Sequence, residues 1–437
     1  MSARLPRRPR RGAGTRVGLF GLLGSGNIGN DGSLEAVLEY LAVEHPAATV
    51  TFYCAGAEQV RDQYGVEATP LHWYQRHEHR ASGVRAIVLK VVGKGLDAFR
   101  TAAWVRRHDV VIVPGMGVLE ATLPLRPWGF PYALLLLTAC GRLFGTKVAL
   151  VSVGANAMRQ RMTRLLFISA ARLAHYRSYR DAQSKEALWR MGVNVSADEV
   201  YPDLVFALPA PSSAVTGEEG GSGRTVGVGV MAYYGGNDDR DRAEQIHAEY
   251  LAKMERFVRW LVDEGRTVRL LTGDHVDESV VQELLADLRE HRPHLAPSRV
   301  LAQPVSSLTE LMRQIASVDT VVATRYHNVL CALKLAKPTV SLGYARKNDV
   351  LMADMGLADF CQDVGSFDVD RLIDQLTALE DGRDQLGAAM AARARANSRQ
   401  LQRQFDVLSA ALLPTPHMPA PPDTSASPAP EPLQEAR

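Results

Sequence analysis

The chain reads as an α/β protein built from two doubly wound, Rossmann-like domains that face each other across a cleft. Three observations predict this. Apolar runs rich in Val and Leu recur along both halves, as strands buried on both faces of a parallel sheet require. Segments with helical spacing of apolar residues alternate with those runs. At 437 residues the chain exceeds what one hydrophobic core usually supports, and a Pro, Ser, Gly and Glu-rich stretch at 209–223 divides it near the middle.

Taken in order, residues 1–16 form a basic tail, 17–208 the first domain, 209–223 a linker, 224–390 the second domain, 391–412 a helix crossing back over the first domain, and 413–437 a tail expected to be disordered. In the first domain, strands are expected at 16–23, 48–54, 110–114, 147–153 and 175–178. The intervening helices fall at 34–43, 134–143 and 165–174, with a long amphipathic stretch at 84–107. After the linker the pattern restarts, with strands at 225–231, 267–271, 320–323 and 339–342 and helices near 245–264, 277–290, 308–316 and 327–335. Ligands of such sheets bind beyond the carboxyl ends of the strands, so the chemistry is expected between the domains.

Composition narrows the function. The net charge is +2, but residues 1–16 carry six Arg and no acid, which leaves −4 for everything else. A mildly acidic body argues against a nucleic-acid groove. No apolar segment follows the basic tail as in a secretory signal, and the longest apolar run, 131–140, is too short to span a bilayer. Cys54, Cys140, Cys331 and Cys361 are far apart and lack metal-ligand spacing, as expected of free thiols in a reducing, cytoplasmic compartment.

Thr324-Arg325-Tyr326-His327-Asn328, with Lys337-Pro338 and Tyr344-Ala345-Arg346-Lys347 beyond it, places a guanidinium, an imidazole and an ammonium at two ends of a strand, helix, strand unit. Arg offers paired donors to a carboxylate or phosphate and His exchanges a proton near neutral pH, so the set suits an acid that must be protonated as it reacts. Gly24-Ser25-Gly26-Asn27-Ile28-Gly29 has the letters of a dinucleotide fingerprint, but the second strand ends in Tyr53-Cys54 and not in the acid that would hold a ribose. Two readings of the loop remain, a tight turn or a cradle in which Asn27, Asn30 and Asp31 meet a sugar or anion. Gly115-Met116-Gly117 and Ser152-Val153-Gly154 are either plain turns or ligand-facing loops. Arg180-Asp181 either caps a helix or, with Arg177, reaches an anion. Tyr233-Tyr234 could stack on a sugar, and Asp274-His275 could supply a base.

Taken together these motifs resemble the polysaccharide pyruvyl transferase family over roughly residues 17–400. The resemblance rests on Gly26–Gly29, Gly115–Gly117, Arg180-Asp181 with Ser184 and Gly192, Asp203 with Phe206, and Arg325–His327 with Lys337-Pro338 and Tyr344–Lys347. Two positions depart from the family: Gly29-Asn30-Asp31-Gly32 stands where Gly-Asp-Glu is common, and Gly115-Met116-Gly117 where Gly-Gly-Gly is. The resemblance implies a GT-B-like arrangement, as in many sugar-nucleotide glycosyltransferases. It implies transfer of an enolpyruvyl unit from phosphoenolpyruvate to two hydroxyls of a sugar, with neither metal nor redox cofactor. His327 and Arg325 would be catalytic, Arg325 clamping the donor in bidentate fashion. Asn27, Asp31, Gly115, Gly117, Arg180, Tyr344 and Lys347 would bind substrate. The partners implied are the donor and a sugar acceptor, which a lipid could carry. The stretch 84–107 and Trp128-Gly129-Phe130 could then make peripheral contact with the inner face of a membrane. A nucleotide-sugar glycosyltransferase and a binder without turnover are the rival functions.

Overall fold

The computed structural model describes residues 14–24, 26, 28–73, 83–120, 127–211, 225–236 and 239–413. Most of the expected tails, most of the linker and Asn27 lie outside the described residues; Arg16, expected in the basic tail, opens the first strand.

The first domain holds an all-parallel sheet in the order β3-β2-β1-β4-β5-β6-β7. Its strands are β1 (Arg16–Gly21), β2 (Thr49–Cys54), β3 (Ala68–Pro70), β4 (Val110–Pro114), β5 (Lys147–Val153), β6 (Tyr176–Tyr179) and β7 (Glu199–Val200). The second holds β8 (Thr225–Gly229), β9 (Thr267–Leu271), β10 (Val300–Ala302), β11 (Thr320–Ala323), β12 (Thr339–Gly343) and β13 (Cys361–Asp363), in the order β10-β9-β8-β11-β12-β13. Central strands such as Val110-Val111-Ile112-Val113-Pro114 are buried along their whole length because helices cover both faces. In each sheet the strand order reverses once, at β1 and β4 and at β8 and β11, and an open parallel sheet binds its ligand at that reversal.

Several helices bear on the cleft. In the first domain α1 (Ile28–Glu44) and α2 (Ala57–Tyr64) follow β1 and β2, α3 (Gly83–Val105), α4 (Phe130–Phe144) and α5 (Arg161–Leu173) lead into β4, β5 and β6, and α6 (Ala182–Arg190) follows β6. In the second, α7 (Ala243–Asp263), α8 (Glu278–His291) and α9 (Leu308–Ala316) lead into β9, β10 and β11. α10 (Tyr326–Lys334), α11 (Arg346–Asp354) and α12 (Val369–Asp381) complete that domain. The domains meet where α1 lies against α9: Gly32 faces the Leu308 side chain, and Thr309 donates to Glu35 at 3.4 Å. Lys334, at the end of α10, donates to the Phe206 carbonyl of the first domain at 3.0 Å.

The crossing helix, α13, runs Arg383–Leu412 and so begins eight residues before the expected 391. Nothing in Arg383–Met390 breaks a helix except Gly387, and the Ala-rich run that follows favours it. Its first half is tied to the second domain, with Arg383 on Asp319 at 3.1 Å and Arg393 on the Asp354 carbonyl at 3.0 Å. Its second half is tied to the first, where Phe405 stacks on Tyr40 and Ser409 bonds the Tyr40 hydroxyl at 2.6 Å. Gln404, fully buried, accepts from the Ser152 hydroxyl at 3.0 Å and donates to Ser178 Oγ at 2.6 Å. Replacing Gln404 with Leu would leave the Ser152 hydroxyl without its acceptor and take one donor from Ser178, which keeps the Ser152 amide, and should cost about 1–3 kcal/mol. A denaturant titration would read this, and an unmoved midpoint would show that the network does not hold the helix.

Candidate functional site

The site is built from loops at the carboxyl ends of both sheets. In the first domain β4 ends in Gly115 (φ 45°) and Met116 (φ 60°), and β5 carries Ser152 at φ 49°, so two non-glycine residues hold left-handed backbone beside the cleft. These turns make room for one ion pair. A Cβ on Gly117 would lie 2.7 Å from Glu120 Oε2, and one on Gly154 would lie 2.4 Å from Glu120 Oε1 and 2.7 Å from Arg180 Nη2. Glu120 accepts a short hydrogen bond from Arg180, whose guanidinium also lies 3.6 Å from Asp181 and 3.9 Å from Asp203. Burial pushes the Glu120 carboxyl up, but Arg180 and Lys347 outweigh it and hold its pKa below the ordinary value.

The second domain completes the cluster. Lys347, in the first turn of α11, lies 3.6 Å from Glu120 across the gap. Tyr326, at the start of α10, has two cations over its ring, Arg180 at 5.2 Å and Lys347 at 5.3 Å from the centroid. Tyr344, partly exposed, has Lys347 5.5 Å from its own centroid. His327 seats its ring on the first turn of α1 in the first domain: a Cβ on Gly29 would fall 1.9 Å from Cε1 and Nδ1. Only glycine permits that approach. Burial, then Arg180, Lys347 and Arg325, push the His327 pKa down to about 3, so the imidazole is neutral at neutral pH.

Arg325 departs from the expected clamp. Its Nε donates to Asp277 at 2.9 Å and its Nη2 at 2.5 Å, and Asp277 is fully buried and accepts also from the Ala232, Gly273 and Asp274 amides. The paired edge is therefore spent within the second domain, and Nη1 alone has no partner among the described residues. Burial lowers the Arg325 pKa, but the bonds and charge of Asp277, with Asp274 and Tyr344, together raise it above the ordinary value.

The other expected residues divide. Gly115 packs its Cα on Ser33 Oγ of α1, and Gly117 backs Glu120. Asp31 turns back on the glycine loop, accepting the Gly24 amide at 2.8 Å; burial, partly offset by that bond, raises its pKa to about 6. Asn27 lies outside the described residues. Asp181 caps α6 through Ser184, and Arg177 is held by Asp198 and two carbonyls, so Arg177 does not reach the cleft. Asp274 caps the short 3-10 turn that follows β9, and Tyr234 spends a ring face on His247 at 4.4 Å. Lys337 ties down the Ala316 and Val318 carbonyls. Sequence reasoning missed Glu120, Asp277 and the cation-flanked Tyr326. Among the described residues no group of three or more His, Cys, Asp or Glu could hold a metal ion.

A family model described as polysaccharide pyruvyl transferase matches residues 27–346, most of both domains and all of this cluster except Lys347, one position beyond its end. The chain belongs to that family. A comparison with curated proteins finds no significant match. Among solved structures, the UDP-N-acetylglucosamine 2-epimerase of Methanocaldococcus jannaschii superposes with a TM-score of 0.56 at 10% identity, covering 91% of this chain and 100% of that one. The Neisseria meningitidis UDP-GlcNAc 2-epimerase bound to UDP-GlcNAc gives 0.53 at 11% identity, covering 90% and 99%. Anabaena HepE in complex with UDP-glucose gives 0.52 at 15% identity, covering 90% and 99%. At such identities these structures establish the GT-B-like fold of this family member and nothing about its substrate.

The depressed His327 pKa makes stability pH-dependent with a definite sign. As pH falls below 6.5 the unfolded imidazole takes up a proton that the folded one refuses until about pH 3, so stability present above 6.5 is lost across that window. Measured by urea unfolding, the advantage of the native protein over His327→Gln should shrink by about 2 kcal/mol between about pH 7.5 and about pH 5. A difference that stays constant with pH would mean that the imidazole is not held neutral.

Proposed function

We propose that the protein transfers the enolpyruvyl unit of phosphoenolpyruvate to two hydroxyls of one sugar in a polysaccharide or glycolipid precursor, forming a pyruvate ketal and releasing phosphate. The observation that carries this reading is a neutral imidazole among three cations, lodged between the domains. Such a site favours a small polyanion. Phosphoenolpyruvate presents a carboxylate and a phosphate, and Arg325 Nη1, Lys347 Nζ and the first-turn amides of α10 and α11 can receive them. Arg325 thus gives one arm where a bidentate clamp was expected.

Donor binding changes the imidazole. Its negative charge offsets Arg180, Lys347 and Arg325, which raises the basicity of His327 and lets it carry a proton. The proton goes to the methylene carbon, C3 becomes a methyl group, and C2 becomes electrophilic. A sugar hydroxyl forms the first C2–O bond and gives up its proton. The bond from C2 to the phosphate oxygen then breaks, with Lys347 meeting the departing charge, and a second hydroxyl closes the ketal. Of the two hydroxyl protons, one replaces that spent on C3 and the other leaves with phosphate. Glu120 holds Lys347 in place and keeps Arg180 paired.

The test is phosphate release from phosphoenolpyruvate with a panel of sugar acceptors, set beside nucleotide release from UDP-sugars. His327→Gln should lower turnover about 10²–10⁴-fold while donor-induced thermal stabilisation persists. Lys347→Gln should weaken donor binding by about 1.5–3 kcal/mol, and the fold should tolerate it because Glu120 keeps Arg180. Nucleotide release without any phosphate release would contradict the reading.

A further inference from the structure

The outer face of the first sheet carries a surface that the cleft does not use. α3 packs on α4 and α4 on α5, and because each leads into a parallel strand, all three begin at the cleft end of the sheet. Nine of the sixteen exposed large apolar side chains among the described residues lie on this layer. Val91, Val92, Leu96 and Phe99 share one side of α3, with Phe99 73% exposed. Met162 and Leu165 project from the first turns of α5, and Trp128 stands just before α4 with its edge on Tyr132. On α4, Leu143 and Phe144 are exposed beside Arg142, and Leu136 is partly so.

Charge on the same layer is one-sided. Residues 91–107, 127–144 and 159–173 hold nine Lys and Arg against a single acid, Asp97, which is buried under Lys94 and Arg100. These segments therefore carry +8 of a chain whose total is +2, leaving −6 for the rest. Arg161 and Arg164 sit among the exposed apolar residues of α5. A second copy of this face would set like charge against like. No helix among the described residues is long and apolar enough to cross a membrane.

The geometry points to the outer face of α3, α4 and α5 as a docking surface for an anionic phospholipid bilayer. Phe99, Trp128 and Leu165 enter the headgroup layer, and the arginines meet lipid phosphates. The domain that carries this face would then be held at the bilayer, where a sugar on a membrane-anchored lipid is presented. That consequence rests on the transferase reading; the docking itself does not.

Co-sedimentation of the full chain with phosphatidylcholine vesicles, with and without an equal part of phosphatidylglycerol, tests the surface. Anionic vesicles should bind about tenfold or more better than neutral ones. Phe99→Ser with Leu165→Ser should lower that partition about tenfold. Arg161→Gln with Arg164→Gln should lower it about 25-fold, about fivefold for each arginine. Phosphate release with a soluble acceptor should be unchanged in both pairs, which separates failure of docking from failure of the catalytic reading. Native-like vesicle binding by both pairs would overturn the proposal. So would light scattering that shows the serine pair splitting a dimer while vesicle binding is retained, since the face would then be a contact between copies.

Discussion

The site depends on the seat of the His327 ring against the Cα of Gly29. That contact joins a helix of one domain to the first turn of a helix of the other, with no room for a methyl group between them. It shields the imidazole from water on one side, while Arg180, Lys347 and Arg325 surround it with positive charge. A group so placed gives up its proton, and Arg325 Nη1 and Lys347 keep donors that an incoming anion could use. Domain closure, imidazole protonation and anion binding are therefore three aspects of one arrangement.

The remaining polar groups hold that arrangement at a cost in stability. Buried ion pairs seldom stabilise a fold, because desolvation offsets their attraction, and each cation here has a fixed carboxylate: Glu120 for Arg180 and Lys347, Asp277 for Arg325. The carboxylates fix where positive charge is presented. The left-handed turns at Met116 and Ser152 lie behind the first pair, and the crossing helix is fastened to Ser152 through Gln404. A helix about 45 Å long that grips both domains also limits how far they can part.

Much of this was legible in the residue pattern. β4, β5, β9 and β11 are read from their Val and Leu runs with the observed bounds, since strands buried on both faces leave no other signal to confuse them. The edge strands β3, β7, β10 and β13 are two or three residues long and carry no periodicity to detect. α2, α6 and α11 are short and largely polar, which hides their buried faces. Arg325 and His327 stand out because a cation and an imidazole interrupt a buried strand end. Glu120 gives no such sign: its partners are 60 and 227 residues away, and only the fold brings them together. Asp277 was hidden by the more conspicuous Asp274-His275, and with it the fact that Arg325 has one edge already committed.

The most direct test of the central claim is the titration of the His327 imidazole by NMR, with histidine ring carbons labelled and His327→Gln used for assignment. In the free protein the ring should remain neutral well below the ordinary histidine range, and phosphoenolpyruvate should raise its apparent pKa by about two units or more. A ring that titrates near its ordinary value in the free protein, or that ignores the donor, would contradict the account.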